Sequence, residues 1–121
     1  MIECIGQIMI PVRDLARATA FYRDVLGLTF LFQVPGMAFF DVAGVRLMLA
    51  PSDLPEEPRG GVLYYKVPDI DRDFAALEAK AVQVVEKPHL IARMPDHDLW
   101  MGFLRDSEGN VLALMCERPR A

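Results

Sequence analysis

This chain repeats itself, and the repetition limits the folds open to it more than any other feature. "FDVAGVRLMLA" at residues 40–50 and "RDSEGNVLALMC" at residues 105–116 each carry an Asp, two variable residues and a Gly, then a short apolar strand with the core Leu-x-Leu. Gly44 and Gly109 lie 65 residues apart. A second match precedes the first: Val12 and Asp14 map onto Val67 and Asp69 at a constant offset of 55. Self-similarity of this kind marks a chain built from two copies of one supersecondary unit.

Each copy starts with an apolar strand and continues into an amphipathic helix. In "QIMIPVRDLARATAFYRDVLGL" the alternation ends near Val12, Asp14 is placed to cap a helix, Leu15, Ala18, Tyr22, Val25 and Leu26 share one face, and Gly27 stops it. In "VLYYKVPDIDRDFAALEAKAV" Asp69 is the cap, and Ile70, Phe74, Leu77 and Ala81 recur at helical spacing. Three extended segments follow each helix: "TFLFQV", "MAFFDV" and "VRLMLA", then "VQVVEK", "LWMGFLR" and "NVLALMC". Pro35-Gly36, Ala43-Gly44 and Glu108-Gly109 suit the turns between them. The expected class is α+β, with two tandem βαβββ modules. One helix covers only one face of a sheet, so two modules side by side would give a curved mixed sheet of roughly eight strands, a cup, with the helices outside. The whole chain, 1–121, reads as a single domain: module one at about 1–50, a Pro- and acid-rich linker at about 51–61, and module two at about 62–118.

Composition removes several functions. A net charge of −4 disfavours the phosphate backbone of nucleic acid, so no nucleic-acid partner is expected. No apolar run reaches the length of about eighteen residues that a spanning helix needs, and the first residues lack a basic n-region. A cytoplasmic protein without a membrane partner is expected. Cys4 and Cys116 are read as reduced, half-buried strand residues. Neither has a basic neighbour in sequence, which gives nucleophilic catalysis little support.

The helix phrase V-x-D-L-x-x-A-x-x-F-Y-x-x-x-L-G ("VRDLARATAFYRDVLG") and the late phrase F-x-R-D-x-x-G-N-x-L-x-L ("FLRDSEGNVLAL"), in a duplicated chain of this length, resemble the vicinal oxygen chelate superfamily. That group includes glyoxalase I, bleomycin-resistance and extradiol-dioxygenase-like proteins. The resemblance runs nearly end to end. It implies a homodimer and, in metal-dependent members, four inward ligands, one on the first and one on the last strand of each module. By resemblance, the first-strand position lies seven residues before the Asp of V-x-D, at Gln7 and Val62. The last-strand position is the x of Leu-x-Leu, at Met48 and Ala113. Only Gln7 could coordinate, and a neutral amide alone is a weak ligand, so neither a metal nor any other cofactor is expected.

The expected ligand-binding set is therefore Gln7, Met9, Met48, Val62, Tyr64, Phe103 and Ala113, lining an apolar cup for a small organic molecule. The segment "EKPHLIARMPDHDLWMGF" is read as a loop between strands, a candidate lid carrying His89, Arg93 and Trp100. His97, in an Asp-His-Asp run, reads as a solvated loop residue. Two rival readings stand beside this one. One is a metal-dependent glyoxalase-like lyase, isomerase or dioxygenase with an atypical ligand set that includes Gln7 or His89. The other is a drug-sequestering resistance protein.

Overall fold

The computed structural model describes residues 1–51 and 61–120. The linker expected at about 51–61 lies, over residues 52–60, outside the described residues. By contacts the chain divides into two compact units, Met1–Pro58 and Arg59–Ala121. Each is one βαβββ module.

Module one contains β1 (Gln7–Val12), α1 (Leu15–Ala20), a single π-helical turn (Phe21–Val25), β2 (Thr29–Val34), β3 (Met37–Val42) and β4 (Val45–Pro51). The expected cap is present: Asp14 accepts a hydrogen bond from the Arg17 backbone N–H at 3.0 Å. The expected uniform helix, however, widens at Phe21, where the Leu26 N–H reaches back five residues to the Phe21 carbonyl at 3.0 Å. The sheet order is β1-β4-β3-β2, with β1 parallel to β4 and the other pairs antiparallel. Period-two alternation sends Ile10, Val12, Ala38, Phe40, Leu47 and Leu49 to the helix side, where all are buried. Tyr22 packs against Phe40 there, with ring centroids 6.2 Å apart. Full burial of side chains this size stabilises the fold by about 1.5–3 kcal/mol each.

Module two repeats the plan with β5 (Leu63–Lys66), α2 (Ile70–Ala79), β6 (Gln83–Arg93), β7 (His97–Arg105) and β8 (Val111–Pro119), in the order β5-β8-β7-β6. Asp69 caps α2 through the Arg72 backbone N–H at 3.2 Å. Ile70, Phe74 and Leu77 are the buried stripe, whereas Ala81, expected on it, lies beyond the helix and is exposed. Between β7 and β8 the Asp106 carboxylate, itself buried, accepts the Glu108 and Asn110 backbone N–H groups, both at 2.8 Å, and the Asn110 side-chain amide at 3.0 Å. The repeated Asp and Gly of this turn therefore serve its geometry. Both cysteines are free. Cys116 is buried in β8, but Cys4 is exposed and precedes β1, so it is not the half-buried strand residue expected: apolar neighbours alone do not give it a sheet partner.

Two positions show how tightly backbone and packing are matched. The turn joining β3 to β4 has both central residues at positive φ, Ala43 at 49° and Gly44 at 90°. Glycine is at ease there and alanine is not. Replacing Ala43 with Asn, which tolerates this conformation, is expected to raise stability by about 1 kcal/mol in denaturant unfolding. In module two, Gly102 of β7 lies directly under α2. A Cβ at that position would sit 2.6 Å from Phe74 Cε2 and 3.2 Å from Pro88 Cγ. Gly102→Ala should therefore lower stability by about 1–3 kcal/mol, with the near-ultraviolet aromatic signal of the native state altered.

Candidate functional site

The same alternation that buries one side of each sheet directs the intervening residues to the side its helix does not cover. In module one, register places Met9 opposite Met48, Met48 opposite Phe39, and Phe39 opposite Phe32. This apolar row crosses all four strands. The rings of Phe32 and Phe39 stack with centroids 4.6 Å apart, which leaves Phe39 only 8% exposed while Phe32 remains 45% exposed. A parallel row, Gln7, Arg46, Asp41 and Thr29, runs beside it and is polar throughout. The two rows meet at Gln7, whose side-chain N–H donates to the Met48 sulfur at 3.7 Å.

In module two the corresponding row is Tyr64, Ala113, Phe103 and Glu86. Met9 and Tyr64 are the same position in the two copies, as are Met48 and Ala113. Ala113 is fully buried although no helix covers its side, because the rings on the flanking strands close over it: Tyr64 and Phe103 meet edge to face at 6.0 Å. A longer side chain at 113 would force those rings apart. The neighbouring row is Lys66, Met115, Met101 and His89. His89 Nε2 lies 3.3 Å from the Glu86 carboxylate, and its Nδ1 lies 2.9 Å from the Lys87 carbonyl oxygen.

Further along this face the charges satisfy one another. Lys66 Nζ is 2.9 Å from Glu117. His97 has Nε2 at 3.9 Å from the same carboxylate and Nδ1 at 2.7 Å from Asp96. The Lys66 ammonium, by hydrogen bond and by charge, holds the Glu117 carboxyl below its ordinary range, and the His97 hydrogen bond does the same for Asp96. On the helix side Tyr65 differs: its hydroxyl is buried without a hydrogen-bond partner among the described residues, and burial, with the Asp106 charge second, pushes its phenol far above the ordinary value.

Gln7, Met9 and Met48 therefore share one face of module one, and Tyr64, Phe103 and Ala113 share one face of module two. Val62 precedes β5 and is 37% exposed. The expected lid is corrected. His89 and Arg93 belong to β6 and Trp100 to β7, so the segment is a strand hairpin whose only turn spans 94–96. Pro88 and the nearby charges made it read as a loop. Pro88 in fact sits on the sheet-edge strand between the register shifts at Glu86 and His89, where a missing N–H breaks no ladder. Trp100 lies opposite Cys116 on the helix-side parity, beneath the Arg118 guanidinium at 4.4 Å. His97 likewise lies in a strand, not in a solvated loop.

Motif reading missed Arg46, Asp41, Phe39, Phe32 and Glu86. Period two counted back from Met48 would have found Arg46. The four positions that carry metal ligands in the resemblance hold one amide, one thioether and two hydrocarbon side chains. Among the described residues no group of three His, Cys, Asp or Glu side chains is arranged to hold an ion. No helix among the described residues is long and apolar enough to cross a membrane.

Two βαβββ modules, each with a capped helix on one side of its sheet and a bare face on the other, define the class: a duplicated α+β protein. The model of the Glyoxalase/Bleomycin resistance protein/Dioxygenase superfamily matches residues 4–114, and the chain belongs to that superfamily. A glyoxylase-like domain-containing protein of Didymella fabae is 29% identical over 125 residues, covering 95% of this chain and 94% of that one. Among solved structures, the lactoylglutathione lyase of Agrobacterium tumefaciens is 25% identical with a TM-score of 0.71, covering 93% of this chain and 92% of that one. TnmS3, an antibiotic binding protein from Streptomyces sp. CB03234, is 26% identical with a TM-score of 0.71, covering 98% of both chains.

The closure of two rings over Ala113 gives a direct test of the geometry. Ala113→Met, which restores the residue found at the equivalent place in module one, should cost about 1–3 kcal/mol through overpacking. The pair Ala113→Met with Tyr64→Ala should recover most of that loss, as a double-mutant cycle in denaturant would record.

Proposed function

We propose that the chain binds a small organic molecule against the apolar open faces of its sheets, and that it does so without the divalent metal typical of its enzymatic relatives. The observation that carries this reading is the contact between Gln7 and Met48. These are the two module-one positions at which a metal would need donors, and the amide N–H of one is bonded to the sulfur of the other. Hard and borderline divalent ions are held by carboxylates, imidazoles and thiolates, and a lone amide oxygen beside a thioether is a poor substitute. The corresponding module-two residues, Val62 and Ala113, have no side-chain donor.

What remains on the faces suits binding: methionine thioethers that adapt to irregular shapes and aromatic rings with large apolar area. The likeness to an antibiotic binding protein over the full length supports a ligand-holding role of this kind. The homodimer implied by the superfamily belongs to the same proposal and is checked by sedimentation, where a monomer would remove it.

The reading is tested on purified protein with 1-naphthalenemethanol as a neutral apolar probe, by calorimetry, alongside elemental analysis. Binding is expected to be saturable, unchanged by a chelator and unchanged by added nickel, zinc, manganese or iron. One ion per chain that survives dialysis would overturn it, as would turnover that appears only with added metal and vanishes in Gln7→Ala or His89→Ala. Those results would establish a metal-dependent enzyme instead.

A further inference from the structure

On the open face of module one, charge is placed differently from anywhere else on the two sheets. The polar row Gln7, Arg46, Asp41 and Thr29 borders the apolar row Met9, Met48, Phe39 and Phe32. Arg46 leans from the first row onto the second, its Cζ 6.0 Å from the centre of the Phe39 ring. Among the described residues its side chain has no ion pair and no hydrogen bond. Asp41 is its cross-strand neighbour, yet the two do not form an ion pair, so the carboxylate does not neutralise the guanidinium by contact. On the open face of module two the cations are engaged: Lys66 holds Glu117, and Arg105 donates to the Gly109 carbonyl at 2.9 Å.

A guanidinium lying beside an aromatic ring is weakly hydrated and keeps its N–H edge free, and that edge matches a carboxylate in two-point geometry. Beside it lie a stacked pair of rings and two thioethers, a floor for a flat apolar body. We infer that Arg46 is the specificity-determining residue of the module-one face, and that the ligand class is an aromatic carboxylate, its ring over the Met and Phe row and its anion on Arg46. This deepens the binding function proposed above and rests on it. The chain's net charge of −4 repels an anion at long range, so the preference has to come from this local contact. Asp41 works against it, and its removal should strengthen it.

Three probes that share one ring system separate the possibilities: 1-naphthoate, 1-naphthalenemethanol and 1-naphthylmethylammonium, titrated by calorimetry at low and high salt. The carboxylate should bind about fivefold more tightly than the alcohol, the size of a partly exposed charge contact, and the ammonium more weakly than either. Arg46→Gln should remove that advantage and its salt dependence while leaving the alcohol unchanged. Arg46→Lys should keep part of it, and Asp41→Asn should enlarge it. Arg46 is exposed, so these variants should unfold at the wild-type temperature, which the same samples can confirm. Equal binding of all three probes, or an advantage for the carboxylate that survives Arg46→Gln, would overturn the inference while leaving the binding function standing. No binding of any probe would overturn both.

Discussion

Everything on the candidate faces depends on the parallel pairing of the first strand of each module with its last. Met9 is held opposite Met48, and Tyr64 opposite Ala113, by backbone ladders that the intervening helix and hairpin must bridge. Because side chains alternate with period two, a slip of one residue in that pairing would turn Leu47 and Leu49, or Leu112 and Leu114, away from the helix and bring the bare face inward. The buried leucines thus fix the register, and the register fixes which residues a ligand meets. Core and site are two sides of the same four strands.

Duplication left that scaffold intact and let the exposed side diverge. In one copy a flexible methionine lies between Met9 and Phe39. In the other, two aromatic rings leave space only for a methyl group, and Ala113 fills it. The x of Leu-x-Leu is thus a methionine in one module and an alanine in the other because its cross-strand neighbours differ. Residues at this place need to agree with their neighbours more than with their counterpart in the other module.

The plan of strands and helices was legible because several local signals agreed: Asp14 and Asp69 as caps, the apolar stripe of α2, and turn residues at the hairpins β2–β3, β3–β4 and β7–β8. Where a single signal had to decide, the reading was weaker. Pro88 suggested a loop because the sequence does not reveal that its strand lies at a sheet edge, and edge position is a property of the whole topology. The wide turn at Phe21 leaves no mark in a pattern that fits three or four residues per turn equally well. Arg46 stands two residues before Met48, outside the positions that the resemblance to metal-binding proteins marks. Its setting beside Phe39 and opposite Asp41 comes from the pairing of β3 with β4, which the motif alone does not specify.

The contrast between the two modules also explains where a charged ligand would have to bind. On the open face of module two several polar groups are already paired: Lys66 with Glu117, His97 between Glu117 and Asp96, and Glu86 beside His89. An incoming ion there must displace an existing partner, and the gain from a new contact is offset by the loss of the old one. On module one the Arg46 side chain has no ion-pair or hydrogen-bond partner among the described residues, and it leans on Phe39. An anion there gains a contact without breaking one. Selectivity on such a surface comes less from how many charges it carries than from which of them have been left unsatisfied.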